Sequence, residues 1–165
     1  MKRKFIFSLA LIVLVMCLFS CGKTNEGENE QNKDKEIIMD MEKLAGEVLE
    51  KSPFTEEVVE RKLDDNAQYG FIYGFEKTPK KVVSYIGGGA TPQELLLIEA
   101  ENEDDAKEIK TSLDNYRDKQ ITIYEPYAAN EVPNLENAVI NRNGVYVVYC
   151  VSAEDVSSAI NKYFK

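Results

Sequence analysis

The chain has 165 residues, with 20 Lys and Arg against 29 Asp and Glu, no His, and a formal net charge of −9 at pH 7. This acidic balance excludes a general nucleic-acid-binding protein, which needs a basic surface to neutralise phosphates, and the lack of His removes the commonest general base and metal ligand. With 44% hydrophobic residues and few prolines and glycines, the composition is that of one globular domain with additional segments.

The N-terminal segment has the layout of a secretory signal. Three cations at residues 2–4 precede an apolar run, residues 5–19, which is shorter than the about 20 residues that a transmembrane helix needs. The run ends in the sequence LFSCG at residues 18–22, which resembles a bacterial lipobox. The resemblance implies a lipoprotein signal peptide over residues 1–20 and a diacylglycerol on Cys21. The alternative is a plain signal anchor with an incidental cysteine.

A polar segment follows the predicted lipidation site. Residues 22–36 contain no apolar side chain, so they cannot bury enough surface to order themselves. We therefore predict that residues 21–36 are the lipidated cysteine and a disordered, acidic tether, and that residues 37–165 form a single domain. Fully extended, the tether reaches about 50 Å. The expected location is the outer face of the cytoplasmic membrane, with partners close to that membrane.

Two helices are predicted at the start of the domain. Apolar residues at helical spacing indicate a first helix over residues 41–49, with Asp40 as its N-cap. Residues 54–62 fit a short strand or a turn. A second, shorter helix is expected to begin at residues 64–65 and to end near Gly74.

A hairpin and a long helix come next. Strands are predicted at residues 82–86 and 94–100, joined by a glycine-rich turn over residues 87–92. Asn102 then opens a long amphipathic helix, which is followed by a loop over residues 128–137.

The C-terminal part repeats this order. Residues 138–141 and 145–151 are predicted strands, and the Asn-Gly pair at 143–144 between them is typical of a type I′ turn. Ser152 is expected to cap a final helix over residues 153–164. Strand, strand and helix therefore occur twice. The prediction is an α+β domain in which a four-stranded antiparallel sheet carries helices on one face, preceded by an N-terminal helical region.

Several stretches together resemble a known family. They are the sequences VSY at 83–85, GGATPQE at 88–94 and VPNLENAV at 132–139, followed by the Asn-Gly pair at 143–144. The resemblance is to small surface lipoproteins of Gram-positive anaerobes that are built on a domain of unknown function, and it covers about residues 38–164. It implies a surface lipoprotein and no particular activity.

Three features invite a chemical interpretation. Gly87-Gly88-Gly89 is not a phosphate-binding P-loop, because Pro92 and a strand follow where a lysine and a helix are required. We expect a turn or bulge there, and the alternative is a ligand that approaches the bare backbone.

The acidic cluster at residues 99–105 lacks the EF-hand pattern and is expected to stabilise a helix N-terminus. The acid pairs at 56–57 and 64–65 are candidates for glycoside cleavage, although nothing places them across a cleft.

The aromatic residues and Cys150 each allow two interpretations. Tyrosines and phenylalanines alternate over residues 69–75, and Tyr124 and Tyr127 follow the long helix. They are expected mainly in the core, and any exposed ones would be available to stack on sugars or a partner.

Cys150 lies in an apolar strand without a His partner, so we expect a buried structural residue and no catalytic thiol.

These observations favour a non-enzymatic protein. The expected function is a membrane-anchored, extracytoplasmic binding or interaction module, with Cys21 as the lipidation site, no cofactor, no metal and no nucleic acid. Its partners would be the membrane, through the lipid on Cys21, and a membrane-proximal protein or glycan. One alternative is a lipoprotein that binds a small ligand or a cell-wall glycan, and a weaker one is a hydrolase that uses only carboxylates.

Overall fold

The computed structural model describes residues 38–164. The predicted signal peptide (residues 1–20) and the predicted Cys21 and tether segment (residues 21–36) lie outside the described residues. No helix between residues 38 and 164 is both long enough and apolar enough to cross a membrane.

The domain is built on one antiparallel sheet with the spatial strand order β1-β2-β3-β5-β4. The strands are β1 Val59–Glu60, β2 Lys81–Ile86, β3 Glu94–Glu99, β4 Val139–Asn143 and β5 Tyr146–Val151. The α+β class is confirmed, but the prediction of four strands was wrong. The fifth strand, β1, has two residues, which pair with Ile86 and Tyr85. It lies within residues 54–62, for which a short strand was one of the two interpretations, and two residues are too few for an alternating pattern to decide between them.

Within residues 38–164, five α-helices accompany the sheet: α1 Met41–Leu49, α2 Ala67–Tyr73, α3 Glu103–Tyr124, α4 Val132–Glu136 and α5 Ser157–Ile160. Two predicted N-caps are confirmed, because the Asp40 side chain accepts from Lys43 N at 2.9 Å and the Asn102 side chain accepts from Asp105 N at 2.9 Å. A loop was expected before β4, but a 3₁₀ turn, Ala129–Glu131, and α4 occupy most of it.

Helices cover both faces of the sheet, which corrects the expectation of one covered face. Leu95 and Leu97 of β3 belong to a core with α1 and α5. Leu96 and Ile98 belong to a second core with α2, α3 and Leu135 of α4. Successive side chains of a strand point to opposite faces. A run of four apolar residues in β3 therefore requires a layer on each side.

The predicted order of strand, strand and helix occurs twice, as β2-β3-α3 and β4-β5-α5. The two units are not equivalent, because α3 packs in one core and α5 in the other. The final helix is also shorter than predicted and is not capped by Ser152. The Ser152 hydroxyl donates to the Glu154 carbonyl at 2.8 Å, and the Asp155 carboxylate accepts from Ser157 N at 2.8 Å. The helix therefore begins after Asp155.

The turn between β4 and β5 lies one residue later than predicted. Asn143 pairs with Tyr146 in the sheet, so the two turn residues are Gly144 and Val145. Gly144 has a φ of 57°, whereas Val145 does not take a positive φ. A positive φ at the first turn position alone is the pattern of a type II′ turn, not of the predicted type I′ turn.

Candidate functional site

One end of the sheet gathers most of the buried polar side chains. The loop between β2 and β3, residues 87–93, lies at this end. Glu94 at the start of β3 pairs with Val151 at the end of β5, so the segment that follows β5 lies at the same end. We call this region the loop end. It contains Gln93 and Glu94, which are 1% and 6% exposed.

Residues 53–56, here called the strap, cross the loop end. The Pro53 carbonyl accepts from Ala153 N at 2.9 Å and from Glu154 N at 3.2 Å. Thr55 and Gln93 exchange two hydrogen bonds, with Thr55 N donating to Gln93 Oε1 at 2.8 Å and Gln93 Nε2 donating to Thr55 Oγ1 at 2.7 Å. The strap is thus tied both to the chain after β5 and to the β2–β3 loop.

The carboxylate of Glu56 is held by the glycine-rich loop, residues 87–91. Its Oε2 accepts from Gly88 N at 3.1 Å, and its Oε1 accepts from Thr91 N at 3.2 Å and from the Thr91 hydroxyl. A Cβ added at Gly87 would lie 2.5 Å from Glu56 Oε1, so a side chain there would displace the carboxylate. The glycine turn predicted over residues 87–92 is confirmed, and it forms a cradle for a carboxylate.

A second carboxylate, Glu131, is buried and surrounded by amides. It is 8% exposed and accepts from Gln93 Nε2 at 3.3 Å, Asn134 Nδ2 at 2.9 Å and Asn130 Nδ2 at 3.1 Å. These hydrogen bonds replace part of the water that the carboxylate loses on burial. The network could not be found from the sequence, because Gln93 and the segment 130–134 lie far apart in the chain.

Glu94 is the most strongly perturbed carboxyl group of the site. It accepts from the Tyr73 hydroxyl at 2.7 Å. Burial raises its pKa to about 7, against the opposing effect of the hydrogen bond from Tyr73. Sequence analysis missed this residue as well. The available signal was that Glu94 is in phase with Leu96 and Ile98, so it faces the same helical layer.

Three tyrosines form an aromatic wall around Glu94. The rings of Tyr73 and Tyr116 meet edge to face with centroids 4.8 Å apart, and those of Tyr116 and Tyr149 do so at 5.8 Å. Burial raises the pKa of each of the three phenols, so they remain neutral. The Tyr149 hydroxyl is buried and has no hydrogen-bond partner among the described residues.

The other predicted aromatic residues separate into core and surface. Tyr69, Tyr73 and Phe75 are buried, as expected, whereas Phe71 on the opposite side of α2 is 94% exposed. At the end of α3, Tyr124 is buried and Tyr127 is 62% exposed, so Phe71 and Tyr127 are the residues of this set that can reach a partner.

The predicted acidic groups have local structural roles. Lys80 pairs with Glu99 at 2.5 Å, and Asp105 donates its amide to the cap of α3. Asp65 accepts from Ala67 N at 2.9 Å at the start of α2, while Glu56 lies in the cradle. Between residues 38 and 164, no group of three or more Cys, Asp and Glu residues is arranged to hold a metal ion.

Cys150 is a buried core residue, as predicted. It is 1% exposed in the core shared with α1 and α5. Burial raises the pKa of its thiol to about 12, so the reactive thiolate is scarce at neutral pH.

We predict that Cys150→Ala lowers the free energy of unfolding by about 1 kcal/mol, because it removes buried contacts and leaves a small cavity. Urea denaturation of the two proteins measures this difference. An unchanged free energy of unfolding would contradict the tight packing of the thiol.

A shallow polar cavity of ≈ 410 Å³ adjoins the loop end. Its polar lining comes from α4 and the turn after it and from the segment after β5, namely Asn134, Asn137, Ser152, Glu154, Asp155 and Ser157. Amides, hydroxyls and carboxylates of this kind can form hydrogen bonds with a hydroxyl-rich ligand.

The comparisons with known proteins give one match. The family model described as a domain of unknown function, DUF4358, matches residues 55–152. No curated protein and no solved structure matches the chain. The matched span begins within the strap and ends at Ser152. It therefore includes the whole sheet, the cradle, and Glu94 with the three tyrosines around it. Cys21 lies outside both the match and the described residues, and its lipidation remains a prediction.

Proposed function

The chain belongs to the DUF4358 family, and from this premise we propose that it is a membrane-anchored extracytoplasmic lipoprotein whose domain is a non-catalytic binding or interaction module. The observation that carries the proposal is the N-terminal sequence. Cations at residues 2–4, an apolar run and a cysteine preceded by Ser20 have the order of a lipoprotein signal.

The lipid would give a durable attachment to the membrane. Each buried CH₂ group of an acyl chain contributes about 0.8 kcal/mol, and stable anchoring requires two chains or equivalent signals. A diacylglycerol on Cys21 meets that requirement. The polar segment 22–36 would then hold the domain within about 50 Å of the bilayer, which limits its partners to membrane-proximal ones.

We expect Cys21→Ala to abolish lipid attachment, because the acceptor sulfur is removed. The measurement is incorporation of radiolabelled palmitate into the full chain in cells that process lipoproteins. Cys17→Ala is the matched control, since it removes the other cysteine of the N-terminal segment and should leave labelling unchanged. A normally labelled Cys21→Ala protein would overturn the proposed anchor.

The side chains of the domain support a non-catalytic role. The Cys150 thiol is buried and neutral, and the Glu94 carboxyl is enclosed by tyrosines. A nucleophile or a general acid must reach its substrate, and neither group is exposed to one. Cross-linking of the lipidated protein in its own cells tests the interaction role. A reproducible protein partner would support it.

The polar cavity favours a second candidate, a lipoprotein that binds a small ligand or a cell-wall glycan. Asn134, Asn137 and Ser152 line its wall. Their amide and hydroxyl donors are bonded within the domain, and their oxygens can accept from a ligand. Thermal-shift measurements with soluble wall glycan fragments test this candidate, because a ligand of the folded state raises the melting temperature. An Asn134→Ala variant should lose the shift, and equal shifts in both proteins would exclude binding at this cavity.

A further inference from the structure

We infer that the glycine-rich loop, residues 87–91, is a binding site for a peptide carboxylate, and that Glu56 occupies this site as an internal, replaceable ligand. The inference rests on the proposed binding role and gives that role a ligand class. It concerns a surface that neither the family description nor the expected lipid anchor assigns.

The cradle is complementary to a carboxylate. Both oxygens of Glu56 are engaged, one by Gly88 N and the other by Thr91 N and its hydroxyl. The two backbone donors, Gly88 N and Thr91 N, lie three residues apart, so the loop holds the carboxylate between its two ends. Several peptide-binding domains likewise capture C-terminal carboxylates with backbone N–H groups. None of the ion pairs in the described part of the chain involves Glu56, so the loop holds the carboxylate without a cation.

Because none of the described ion pairs brings a cation to Glu56, the loop suits one class of anion better than others. A phosphate carries more negative charge and is usually recognised with Arg or Lys in addition to backbone groups. The chain has a net charge of −9, which further disfavours a highly charged anion. A singly charged carboxylate, of the kind that Glu56 itself presents, fits the donors that are available.

The loop is accessible to an external ligand. Gly88, Gly89 and Ala90 are exposed, and the Glu56 side chain is only half-buried. Gly87 has no side chain to cover the site, and a Cβ there would clash with the bound carboxylate. An incoming carboxylate can therefore approach the same backbone groups from solvent once Glu56 rotates away.

Glu56 can leave the cradle without release of the strap. Pro53 is held by the amides of Ala153 and Glu154, and Thr55 is held by the Gln93 side chain. These four hydrogen bonds do not involve the Glu56 side chain. Exchange of the internal carboxylate for an external one therefore requires only side-chain rotation at the surface.

The test is a titration of the full chain, kept in mild detergent, with N-acetylglycine as the probe. The readout is the NMR chemical shift of the Gly88 and Thr91 amides. In Glu56→Ala these amides should shift saturably. The Kd should be at least about tenfold lower than in the wild type. If Glu56 fills about nine-tenths of the wild-type cradles, only about one-tenth are open to the probe, and the apparent affinity of the wild type is about tenfold weaker.

Two controls define the chemistry. Glu57→Ala removes the adjacent acid, which lies outside the cradle, and should titrate like the wild type. N-acetylglycinamide has no carboxylate and should shift neither amide. Adding Thr91→Val to Glu56→Ala removes the hydroxyl donor and should weaken probe binding by about tenfold, the loss typical of one charge-assisted hydrogen bond.

The inference is overturned if Glu56→Ala keeps the wild-type melting temperature and its Gly88 and Thr91 amides do not respond, or if the amide probe or inorganic phosphate shifts them as strongly. Should Glu56→Ala fail to fold, the same titration of Glu56→Gln decides, because the neutral side chain keeps its shape but competes less well. A partner found by cross-linking together with an unresponsive cradle would refute the ligand class while leaving the interaction role intact.

Discussion

Replacing Glu94 by Gln is expected to stabilise the folded domain by about 3 kcal/mol above about pH 8, and to change its stability little below about pH 5. The amide has nearly the same shape as the protonated carboxyl group and still accepts from the Tyr73 hydroxyl, which lies 2.7 Å from Glu94 Oε2. It cannot ionise, so it avoids the cost of a negative charge in the aromatic wall.

The direction follows from proton linkage. The pKa of the Glu94 carboxyl is about 7 in the folded state against an ordinary value of 4.5. The folded state therefore binds this proton more tightly than the unfolded chain. Its contribution to stability is fully present below about pH 4.5 and is lost as the pH rises through about 7. A difference of about 2.5 pKa units corresponds to roughly 3 kcal/mol.

The measurement is urea denaturation of wild type and Glu94→Gln at several pH values between about 5 and 8.5. The difference in free energy of unfolding should rise through this range. Glu42→Gln is the control, because the side-chain hydrogen bond from Lys81 lowers the pKa of Glu42 and places its titration below the window. A difference that stays flat for Glu94→Gln would show that the carboxyl group is solvated in the folded protein.

The sequence predicted the elements with strong periodic patterns and clear caps. The α1 and α3 helices begin at the predicted Asp40 and Asn102 caps. The predicted strand 82–86 lies within β2, and the predicted strand 94–100 covers β3 and one residue beyond it. Elements set by tertiary contacts were left undecided or were misplaced. The two residues of β1 depend on pairing with Ile86 and Tyr85, and the start of α5 depends on Asp155.

The number of helical layers was predictable but was inferred wrongly. The run Leu95–Ile98 is apolar at every position, which indicates a strand covered on both faces. Applied to β3, this reasoning would have predicted helices on two sides. It would also have identified Glu94 as a buried acid.

The cradle shows a different limit of sequence analysis. The glycine turn was visible, and the approach of a ligand to its backbone was one of its two interpretations. The occupant could not be predicted, because Glu56 lies 32 positions from Gly88 in the chain. Its placement depends on the strap, which is fixed by hydrogen bonds to Gln93, Ala153 and Glu154. Contacts between distant segments leave no local pattern.

The second prediction with a large expected effect on stability concerns the two hydrophobic cores, one on each face of the sheet. Leu96→Ala and Leu97→Ala should each lower the free energy of unfolding by about 3 kcal/mol, because each removes a fully buried side chain and leaves a cavity. Both residues are 0% exposed, but Leu96 packs in the core of α2 and α3, whereas Leu97 packs in the core of α1 and α5. If helices covered only one face of the sheet, one of the two substitutions would lower the free energy of unfolding strongly and the other only slightly.

Urea denaturation of the two variants at the same pH makes the comparison. Ile123→Ala on α3 is the control for loss of aliphatic surface, since Ile123 is 51% exposed and its truncation should cost about 1 kcal/mol or less. Losses of similar size in Leu96→Ala and Leu97→Ala would establish a covered core on each face. A loss no larger than that of the control in either variant would contradict the three-layer arrangement, because that leucine would then face solvent.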